Sequence, residues 1–358
     1  MRPEPATLGP TGVTGTAGDE FDVQVVDRIG SVDAVAWDAA VDAHRLPVFY
    51  SRPFLDAYER YPLTGIAEAT YLLVRRRGDP GPPAAVLPAY LQTRPDPLGC
   101  LTPAYPATAG QPALLSHVWH CYDARIGGAA TSPGLAVAVV SALRRKAREL
   151  GAPWCGLVNV HRDGPTATAL AGAGLPLRHL VDRFAAEVAG LTDLEHFLAR
   201  SARPRAGGNL RRYRRRAAEH GVTSAVVPVD EADLPAVAAL CRQSSGKHGS
   251  HSYYPADRFE RFVAALGPAA RVIEVRQHDR LLSAGVCLLD DHRLHCWAGG
   301  ADYRVDGNFS PYYLMFADSI ALALRLHRST FEGGRGNAEF KLRHGLVARP
   351  LVGCLVPS

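Results

Sequence analysis

The chain has 358 residues, more than one domain usually contains, so we expect two domains. Hydrophobic residues make up 47% of it and charged residues 21%, which excludes wholesale disorder, collagen and long coiled coils. The formal net charge of +5 is too small to indicate a nucleic-acid binder by itself, so any basic surface has to be local. Only three of the 40 basic residues are lysines (Lys146, Lys247 and Lys341), so a lysine in this arginine-rich chain is informative by its presence.

The cysteines and the hydrophobic stretches restrict the class of protein further. Seven scattered cysteines without a Cys-x-x-Cys pair argue against a disulfide framework and a zinc ribbon. Residues 1–19 are rich in Pro, Gly and Thr, lack the hydrophobic stretch of a signal peptide, and are predicted to form a disordered tail. The longest apolar stretches, such as 135–143, are far shorter than the roughly 20 residues of a membrane span. We therefore expect a soluble, cytoplasmic protein without a membrane span.

Hydrophobic patterning predicts the elements of the first half in chain order. Alternation predicts a strand over 21–26, and Ser31 or Asp33 caps a helix that runs to about residue 44. Pro53 stands where the first turn of a helix tolerates proline, which predicts a second helix there. The elements that follow are strands at 70–75 and 84–93, a helix at 133–150, a strand at 154–160, a short helix at 166–173 and a strand at 179–188.

The second half repeats this order. Thr192 and Glu195 form a capping box that opens a helix over 194–202, and Gly221 ends a strongly basic helix over 209–220. The elements that follow are a strand at 223–229, helices at 231–244 and 255–266, strands at 271–277, 281–289 and 293–298, a helix at 312–327, a short strand at 329–331 and a final helix and strand within 339–352.

The repeated order predicts an α+β fold of two structurally similar units. We place the boundary near Gly190, which gives an N-terminal domain over 20–189 and a C-terminal domain over 190–358.

Three motifs of the second half carry a family resemblance. They are NLRRYRRR (209–216), SPYYL (310–314) and FEGGRGNAEFK (331–341), of which the Phe-Lys pair is the most specific. Through them, residues 189–358 resemble the acyltransferase domain shared by Fem-type aminoacyl transferases and related proteins of the GNAT superfamily. The first half resembles the companion domain more loosely, through 53–55 and 85–91. The resemblance implies two tandem GNAT-like domains, each a twisted mixed sheet flanked by helices, that join an amine to an activated acyl group.

The acyl donor implied by the resemblance is either aminoacyl-tRNA or acyl-CoA. CoA-dependent GNAT enzymes usually carry a glycine-rich loop whose backbone N–H groups hold the pyrophosphate at a helix N-terminus. This chain instead has DGNFSP at 306–311, with a single glycine and with Pro311 removing an N–H donor. This departure favours aminoacyl-tRNA as the donor, with no cofactor bound to the protein itself.

The chemistry of amide formation indicates the catalytic candidates. The reaction needs a neutral amine in line with the acyl carbon, and hydrogen-bond donors for the developing oxyanion. Lys341 is the candidate for phosphate or oxyanion contact, because its ammonium is a compact charge at the start of a helical segment. The alternative is a surface lysine on a terminal helix. Asp302 and Asp306, in a loop after a strand, are candidates to orient the amine or act as base, or else they serve the turn.

The basic helix is the candidate RNA-binding element. Seven arginines fall within 203–216, and helical geometry places Arg211, Arg214 and Arg215 on one face and Arg212 on another. Such density can neutralise RNA phosphates and makes binding sensitive to salt. A solvated helix in an arginine-rich protein is the alternative.

Other residues are candidates for substrate binding. Residues 333–337 are predicted to form a flexible glycine-rich turn that approaches a ligand closely, with Asn337 as a helix cap. Aromatic residues such as Trp297 and Tyr312 either form a pocket wall or pack in the core. The full set of substrate-binding candidates is Phe340, Arg335, Asn337, Glu339, Trp297, Tyr312, Lys247, His248, His117 and Tyr122.

The cluster SHVWHCYD (116–123) is the densest group of reactive side chains in the first half. His117, His120 and Cys121 lack a second ligand pair at zinc spacing, so we expect no metal site and assign the cluster to an acceptor pocket.

Taken together, the sequence predicts an acyltransferase that transfers an aminoacyl group from aminoacyl-tRNA to an amine of a small molecule or a cell-wall precursor. Its partners would be tRNA and a small amine acceptor, with no DNA. An acyl-CoA-dependent N-acyltransferase remains open, as does a non-catalytic binding module of the same fold.

Overall fold

The computed structural model describes residues 20–127, 131–247, 250 and 252–358, so the predicted tail at 1–19 and the candidate His248 lie outside the described residues. The strands are β1 Phe21–Val26, β2 Ile66–Arg76, β3 Ala85–Gln92, β4 Ala113–Ser116, β5 Trp154–His161, β6 Arg178–Glu187, β7 Val222–Val227, β8 Ala270–Gln277, β9 Arg280–Leu289, β10 Arg293–Ala301, β11 Thr330–Arg335 and β12 Val347–Pro357. The helices are α1 Ala34–Ala43, α2 Arg52–Arg60, α3 Leu101–Ala104, α4 Pro133–Glu149, α5 Pro165–Gly172, α6 Leu194–Ser201, α7 Pro204–Glu219, α8 Leu234–Gly246, α9 Ala256–Leu266, α10 Pro311–Arg325 and α11 Ala338–Arg343.

Across the described residues these strands form one mixed sheet of 12 strands, in the order β1-β2-β3-β4-β5-β12-β6-β11-β10-β9-β8-β7. From either edge inwards the order is the same, since β1 to β5 correspond to β7 to β11. The helices correspond as well: α1 and α2 follow β1 as α8 and α9 follow β7, and α4 precedes β5 as α10 precedes β11. The predicted α+β fold of two similar units is confirmed.

The last strand of each half lies beside the strands of the other half in the sheet. β6 pairs with β11, and β12 pairs with β5, while β6 and β12 pair with each other at the centre of the sheet. The boundary near Gly190 stays a prediction. Because β6 and β12 are exchanged between the halves, a cut near Gly190 separates β6 from β11 and β12 from β5.

The two halves also share a core on one face of the sheet. Phe54 and Tyr58 of α2 contact Phe262 of α9 at ring-centroid distances of 5.4 and 5.6 Å. All three side chains are buried, and each such burial contributes about 1.5–3 kcal/mol. On the other face α4 and α5 cover the first half, and α6, α7, α10 and α11 cover the second. The shared core fixes the halves relative to each other.

Several local predictions are corrected by the structure. Asp193, not Thr192, caps α6, because the Asp193 carboxylate accepts from the His196 N–H at 2.8 Å. α7 begins at Pro204 rather than at residue 209, with the proline at its first position. Residues 333–335 belong to β11 rather than to a turn. The short elements α3 and β4 have no counterpart among the predictions.

Candidate active site

The central feature of the molecule is the place where two neighbouring parallel strands separate. β10 and β11 pair over three residue pairs, the last of which joins His295 to Glu332. Directly beyond that pair, the register of β10 against β9 shifts at Trp297 and the register of β11 against β6 shifts at Gly333. Such bulges bend a strand and are common next to active sites. Because both bulges fall at the same level, the strands diverge there.

A cavity of about 470 Å³ lies between the diverging strands, large enough for a small ligand or the end of a larger one. From the second half it is lined by Ser244, Ser245, Lys247, Ser250, Tyr253, Tyr254, Cys296, Trp297, Ala298, Gly299, Tyr303, Tyr312, Met315, Gly333, Gly334, Arg335, Gly336, Asn337 and Lys341. From the first half it is lined by Leu98, His120 and Tyr122. The site is therefore built by both halves.

Lys341 lies in the wall of this cavity and is only 3% exposed. Its Nζ donates to the carbonyl oxygens of Gly334 at 3.2 Å and Arg335 at 2.8 Å. An ammonium has three N–H donors, so one remains for a ligand in the cavity. Burial lowers the pKa of Lys341 to about 8.

Arg335 reaches from β11 towards the first half. Its Nη1 donates to the Asn159 side-chain oxygen at 3.1 Å, and its Nη2 donates to the Tyr253 hydroxyl at 2.9 Å and to the Trp119 carbonyl oxygen. The guanidinium also lies 5.9 Å from the ring centroids of Trp119 and Tyr122. All these partners are uncharged.

The cavity wall is cationic. Lys247, Arg335 and Lys341 line it, and the described part of the wall contains no aspartate or glutamate. His120 adds no charge, because burial lowers its pKa to about 3 and its ring nitrogens lie 3.0 Å from the Tyr58 hydroxyl and 2.9 Å from the Tyr253 carbonyl. The wall therefore favours an anionic ligand.

A buried network of charges adjoins the cavity. The Asp123 carboxylate pairs with Arg125 at 2.7 Å and with Arg183 at 3.1 Å, and Arg183 lies 3.6 Å from Glu332. Burial alone would raise the pKa of Asp123, but the two guanidinium groups hold it well below its ordinary value. The Tyr122 hydroxyl, the second Glu332 oxygen and the Arg183 Nε are buried without a hydrogen-bond partner in the described protein.

Seven of the sequence-predicted residues meet at the cavity. They are Lys341, Arg335, Asn337, Trp297, Tyr312, Lys247 and Tyr122. Asn337 stands at the cap position of α11 in a left-handed conformation (φ 48°) and makes no side-chain cap hydrogen bond, so its predicted capping role is corrected.

Three other sequence-predicted candidates do not line the cavity. Phe340 is buried in the helical core, where its ring lies 4.1 Å from that of His344, and Glu339 is exposed and pairs with Arg343 on α11. His117 is buried beside β4; its Nε2 lies 2.9 Å from the Phe49 carbonyl, and its Nδ1 accepts from the Val118 N–H at 2.7 Å. With both ring nitrogens engaged by the backbone, His117 offers no group to an acceptor.

Asp302 and Asp306 are not among the residues that line the cavity. The Asp302 carboxylate pairs with Arg280 at 2.6 Å and with Arg304 at 3.1 Å. Hydrogen bonds from Arg304 are the main reason that its pKa lies well below the ordinary value, which makes Asp302 a poor base. Asp306 is exposed in the loop before α10. The geometry therefore favours neither as the proton acceptor.

The arginines of α7 lie on the outer surface beside α10. Arg211 pairs with Glu195 at 2.6 Å, Arg214 with Asp318 at 3.4 Å and Arg215 with Glu219 at 3.8 Å. Arg212 lies over the ring of its neighbour Tyr213. All four are exposed, and the pairs with acidic residues reduce but do not cancel the positive charge of this surface.

Several site residues escaped the sequence analysis. Asn159 in β5 holds Arg335 while adopting a left-handed conformation (φ 59°), Cys296 lines the cavity, and Glu332 lies at the point of separation. Asn159 occurs inside an apolar strand segment, and a polar residue within such a run is the signal that could have marked it.

This arrangement, with two similar halves and a cavity where parallel strands separate, is a tandem GNAT-like fold. Residues 204–342 match a family model described as acetyltransferase (GNAT) domain. A search of curated proteins found no match.

Solved structures share this fold over nearly the whole chain. A tandem GNAT protein from the clavulanic acid biosynthesis pathway is 13% identical, with a TM-score of 0.54, 94% of this chain and 98% of that chain covered. FemX is 12% identical, with a TM-score of 0.62 and coverages of 92% and 96%. The C-terminal domain of a putative lysylphosphatidylglycerol synthetase from Agrobacterium fabrum is 14% identical, with a TM-score of 0.54 and coverages of 90% and 92%. At these identities the similarity establishes the fold.

Within the described residues, no helix has the length and hydrophobicity to cross a membrane. The same residues contain no group of three or more His, Cys, Asp or Glu placed to hold a metal ion.

Proposed function

We propose that the protein is an acyltransferase that forms an amide bond by transferring an aminoacyl group from aminoacyl-tRNA to an amine of a small molecule or cell-wall precursor. The observation that carries the proposal is the cavity between β10 and β11, because its wall combines a buried ammonium donor with residues from both halves. The matched GNAT domain and the tandem fold support acyl transfer as the reaction class.

Lys341 is the residue that would stabilise the developing oxyanion or bind a donor phosphate. Its two hydrogen bonds to backbone carbonyls hold Nζ in place, and its third N–H is directed to neither of them. A donor that is already positioned in a desolvated wall stabilises negative charge more strongly than a solvated lysine does.

The proposed transfer can be written with every bond and proton accounted for, and without a base from the protein. The amine nitrogen attacks the acyl carbon, a C–N bond forms, and the ester C–O bond to the terminal ribose of the tRNA breaks. The proton lost by the amine goes to the ribose oxygen that leaves, as hydroxyl. Substrate groups are the favoured proton acceptor, because the described cavity wall contains no carboxylate and burial lowers the pKa of His120 to about 3, which makes it a weak base.

The position of α7 supports tRNA as the carrier of the donor. α7 packs beside α10, and Tyr213 of α7 lies 5.1 Å from Tyr313 of α10, ring to ring. α10 in turn supplies Tyr312 and Met315 to the cavity. A strand end that entered the cavity along α10 would place its phosphates near the exposed arginines of α7.

The test is retention of charged tRNA by the purified protein across a salt series. We expect retention that weakens steeply with salt, and a salt slope that is smaller by about one for each phosphate that Arg212→Ala/Arg215→Ala no longer neutralises. Arg144→Ala/Arg145→Ala is the matched control, since it removes the same charge from exposed positions of α4 in the first half. Equal weakening in both variants, or no retention by the wild type, contradicts the proposal.

The second candidate is an acyl-CoA-dependent N-acyltransferase. The match of residues 204–342 to an acetyltransferase domain favours it. Against it stands Pro311 at the first position of α10, where an N–H group would otherwise face the pyrophosphate. Tight acetyl-CoA binding without tRNA retention would establish this candidate, and acceptor modification unchanged in Lys341→Ala would remove Lys341 from the mechanism. Absence of any transfer would leave a binding module.

A further inference from the structure

The charge of Arg335 is not neutralised by an acidic side chain of the described protein. The three acceptors of its hydrogen bonds are an amide oxygen, a phenol and a backbone carbonyl. The nearby carboxylates are already engaged, because Asp123 pairs with Arg125 and Arg183, and Glu332 lies against Arg183. A partly buried cation without a counter-ion is unfavourable, so an anion that enters the cavity gains from pairing with it.

The neutral partners hold the guanidinium in a defined position. Asn159 is completely buried and uses both ends of its amide, since its Nδ2 donates to the Cys121 carbonyl at 3.0 Å while its oxygen accepts from Arg335. Tyr253 is buried as well, and its hydroxyl donates to the Trp119 carbonyl at 2.8 Å. Three of the five guanidinium N–H groups are used in this way, which leaves two for a ligand.

We propose that Arg335 binds the carboxylate of the acceptor, so that the acceptor is an amine that also carries a carboxylic acid. This rests on the proposed function, in which the cavity holds an acceptor amine. The free N–H groups lie on Nε and Nη1, on different edges of the planar guanidinium, so a carboxylate accepts one charge-assisted hydrogen bond from it. The aromatic rings of Tyr253, Tyr254 and Trp297 line the same cavity and provide an apolar wall for the rest of the acceptor.

The position of Arg335 assigns it to the acceptor rather than to the donor. Its backbone carbonyl accepts from Lys341, whereas its side chain extends to Trp119 and Asn159 of the first half. A carboxylate on the guanidinium therefore lies on the first-half side of the cavity, with Lys341 and the donor on the other.

The test compares the affinity of the protein for L-phenylalanine, L-phenylalaninamide and inorganic phosphate by calorimetry, without donor. The amide keeps the amine and the aromatic ring but lacks the carboxylate. We expect the acid to bind the wild type roughly tenfold more tightly than the amide, the difference of one charge-assisted contact. Equal affinities would overturn the proposal, and so would phosphate that binds more tightly than the acid and requires Arg335.

Two variants act on the contact in opposite ways. Arg335→Gln removes the cation, and Asn159→Asp keeps it but supplies a carboxylate at the atom that now accepts its hydrogen bond. Both are expected to abolish the preference for the acid, while Arg335→Lys keeps part of it. A preference that survives in Arg335→Gln would overturn the proposal, and this outcome can be read even where Asn159→Asp does not fold.

Donor binding measured on the same preparations separates this inference from the proposed function. Arg335→Gln is expected to retain charged tRNA as the wild type does. Donor binding without a preference for the acid overturns only the inference. A preference for the acid with neither tRNA nor acetyl-CoA binding supports the carboxylate site and overturns the proposed function.

Discussion

The two halves of the molecule place the same pair of parallel strands at the same point of the sheet, but the described residues beyond the two pairs differ. In the second half, β10 and β11 pair over three residues and then diverge around the cavity. In the first half, β4 and β5 pair over four residues, and the chain meets β5 again where Ala124 bridges to Val160. The seven residues between, 117–123, are all buried.

The segment that follows β4 in the first half also completes the cavity between β10 and β11 in the second half. Segment 117–123 supplies His120 and Tyr122 to the cavity of the other half, and its Trp119 carbonyl accepts from Arg335. The His120 carbonyl accepts from the indole N–H of Trp297, the bulge residue of β10, at 2.9 Å. A segment of the first half thus forms part of the wall of the cavity in the second half.

The largest expected effect comes from breaking the charge network at the base of segment 117–123. Asp123→Asn leaves the buried Arg183 and the partly buried Arg125 with one carboxylate fewer, and we expect a loss of about 3–5 kcal/mol in the free energy of unfolding. The exposed pair of Arg52 and Asp38 is the control, because Asp38→Asn should cost at most about 1 kcal/mol. Urea unfolding measures both, and similar losses would show that the network is not what holds the segment.

The same network predicts a dependence on acid. Because the pKa of Asp123 is lower in the folded chain than in the unfolded one, its contribution is complete above the unfolded pKa near 3.8 and is lost as the pH falls below it. Between pH 7 and pH 3, the free energy of unfolding measured in urea should therefore decrease less in Asp123→Asn than in the wild type.

The next effect in size tests which half carries the chemistry. Lys341→Met removes the ammonium at similar volume, and we expect a loss of about 10²-fold in kcat/KM, as for removal of one oxyanion donor. Lys146→Met is the matched control in the first half, where Lys146 pairs with Asp27 at 3.0 Å, and it should leave activity within about twofold, since exposed ion pairs contribute little. Comparable losses in both variants would show that the effect of Lys341→Met does not depend on the position of Lys341 in the cavity.

The pH profile sharpens the role of Lys341. Because burial lowers its pKa to about 8, the ammonium is lost above that pH, and kcat/KM of the wild type should fall as the pH rises through 8. Lys341→Arg keeps its charge and should lack this fall. A kcat/KM that instead rises above pH 8 in the wild type but not in Lys341→Arg would show that the neutral amine of Lys341 acts as a base.

The sequence was sufficient for the order of most elements, with α3 and β4 missed, but not for the assembly of the site. Amphipathic periods and the Pro and Gly positions located β1, α2, α4 and α10 to within a few residues. The exchange of β6 and β12 was not predictable, because strand pairing depends on which faces the whole sheet buries. Arg335 was assigned to a turn because the glycines beside it are typical of loops, whereas here they accompany a bulge and a close approach to Tyr122.

The smallest expected effect is a difference in labelling rate between two cysteines, one at the cavity of the second half and one in segment 117–123 of the first half. Cys296 lines the open cavity, and a hydrogen bond with Cys287 is the main reason that its pKa lies below the ordinary value. Cys121 lies in segment 117–123, where burial raises the pKa of the thiol. Since the thiolate is the reactive form, brief treatment with iodoacetamide should label Cys296 several-fold faster than any other cysteine, as read by peptide mass spectrometry. Cys100 provides the control for access alone, because it is partly exposed but burial raises its pKa to about 11. Labelling of Cys121 at the rate of Cys296 would mean that segment 117–123 opens, and that the two halves differ less in solution than in the structure.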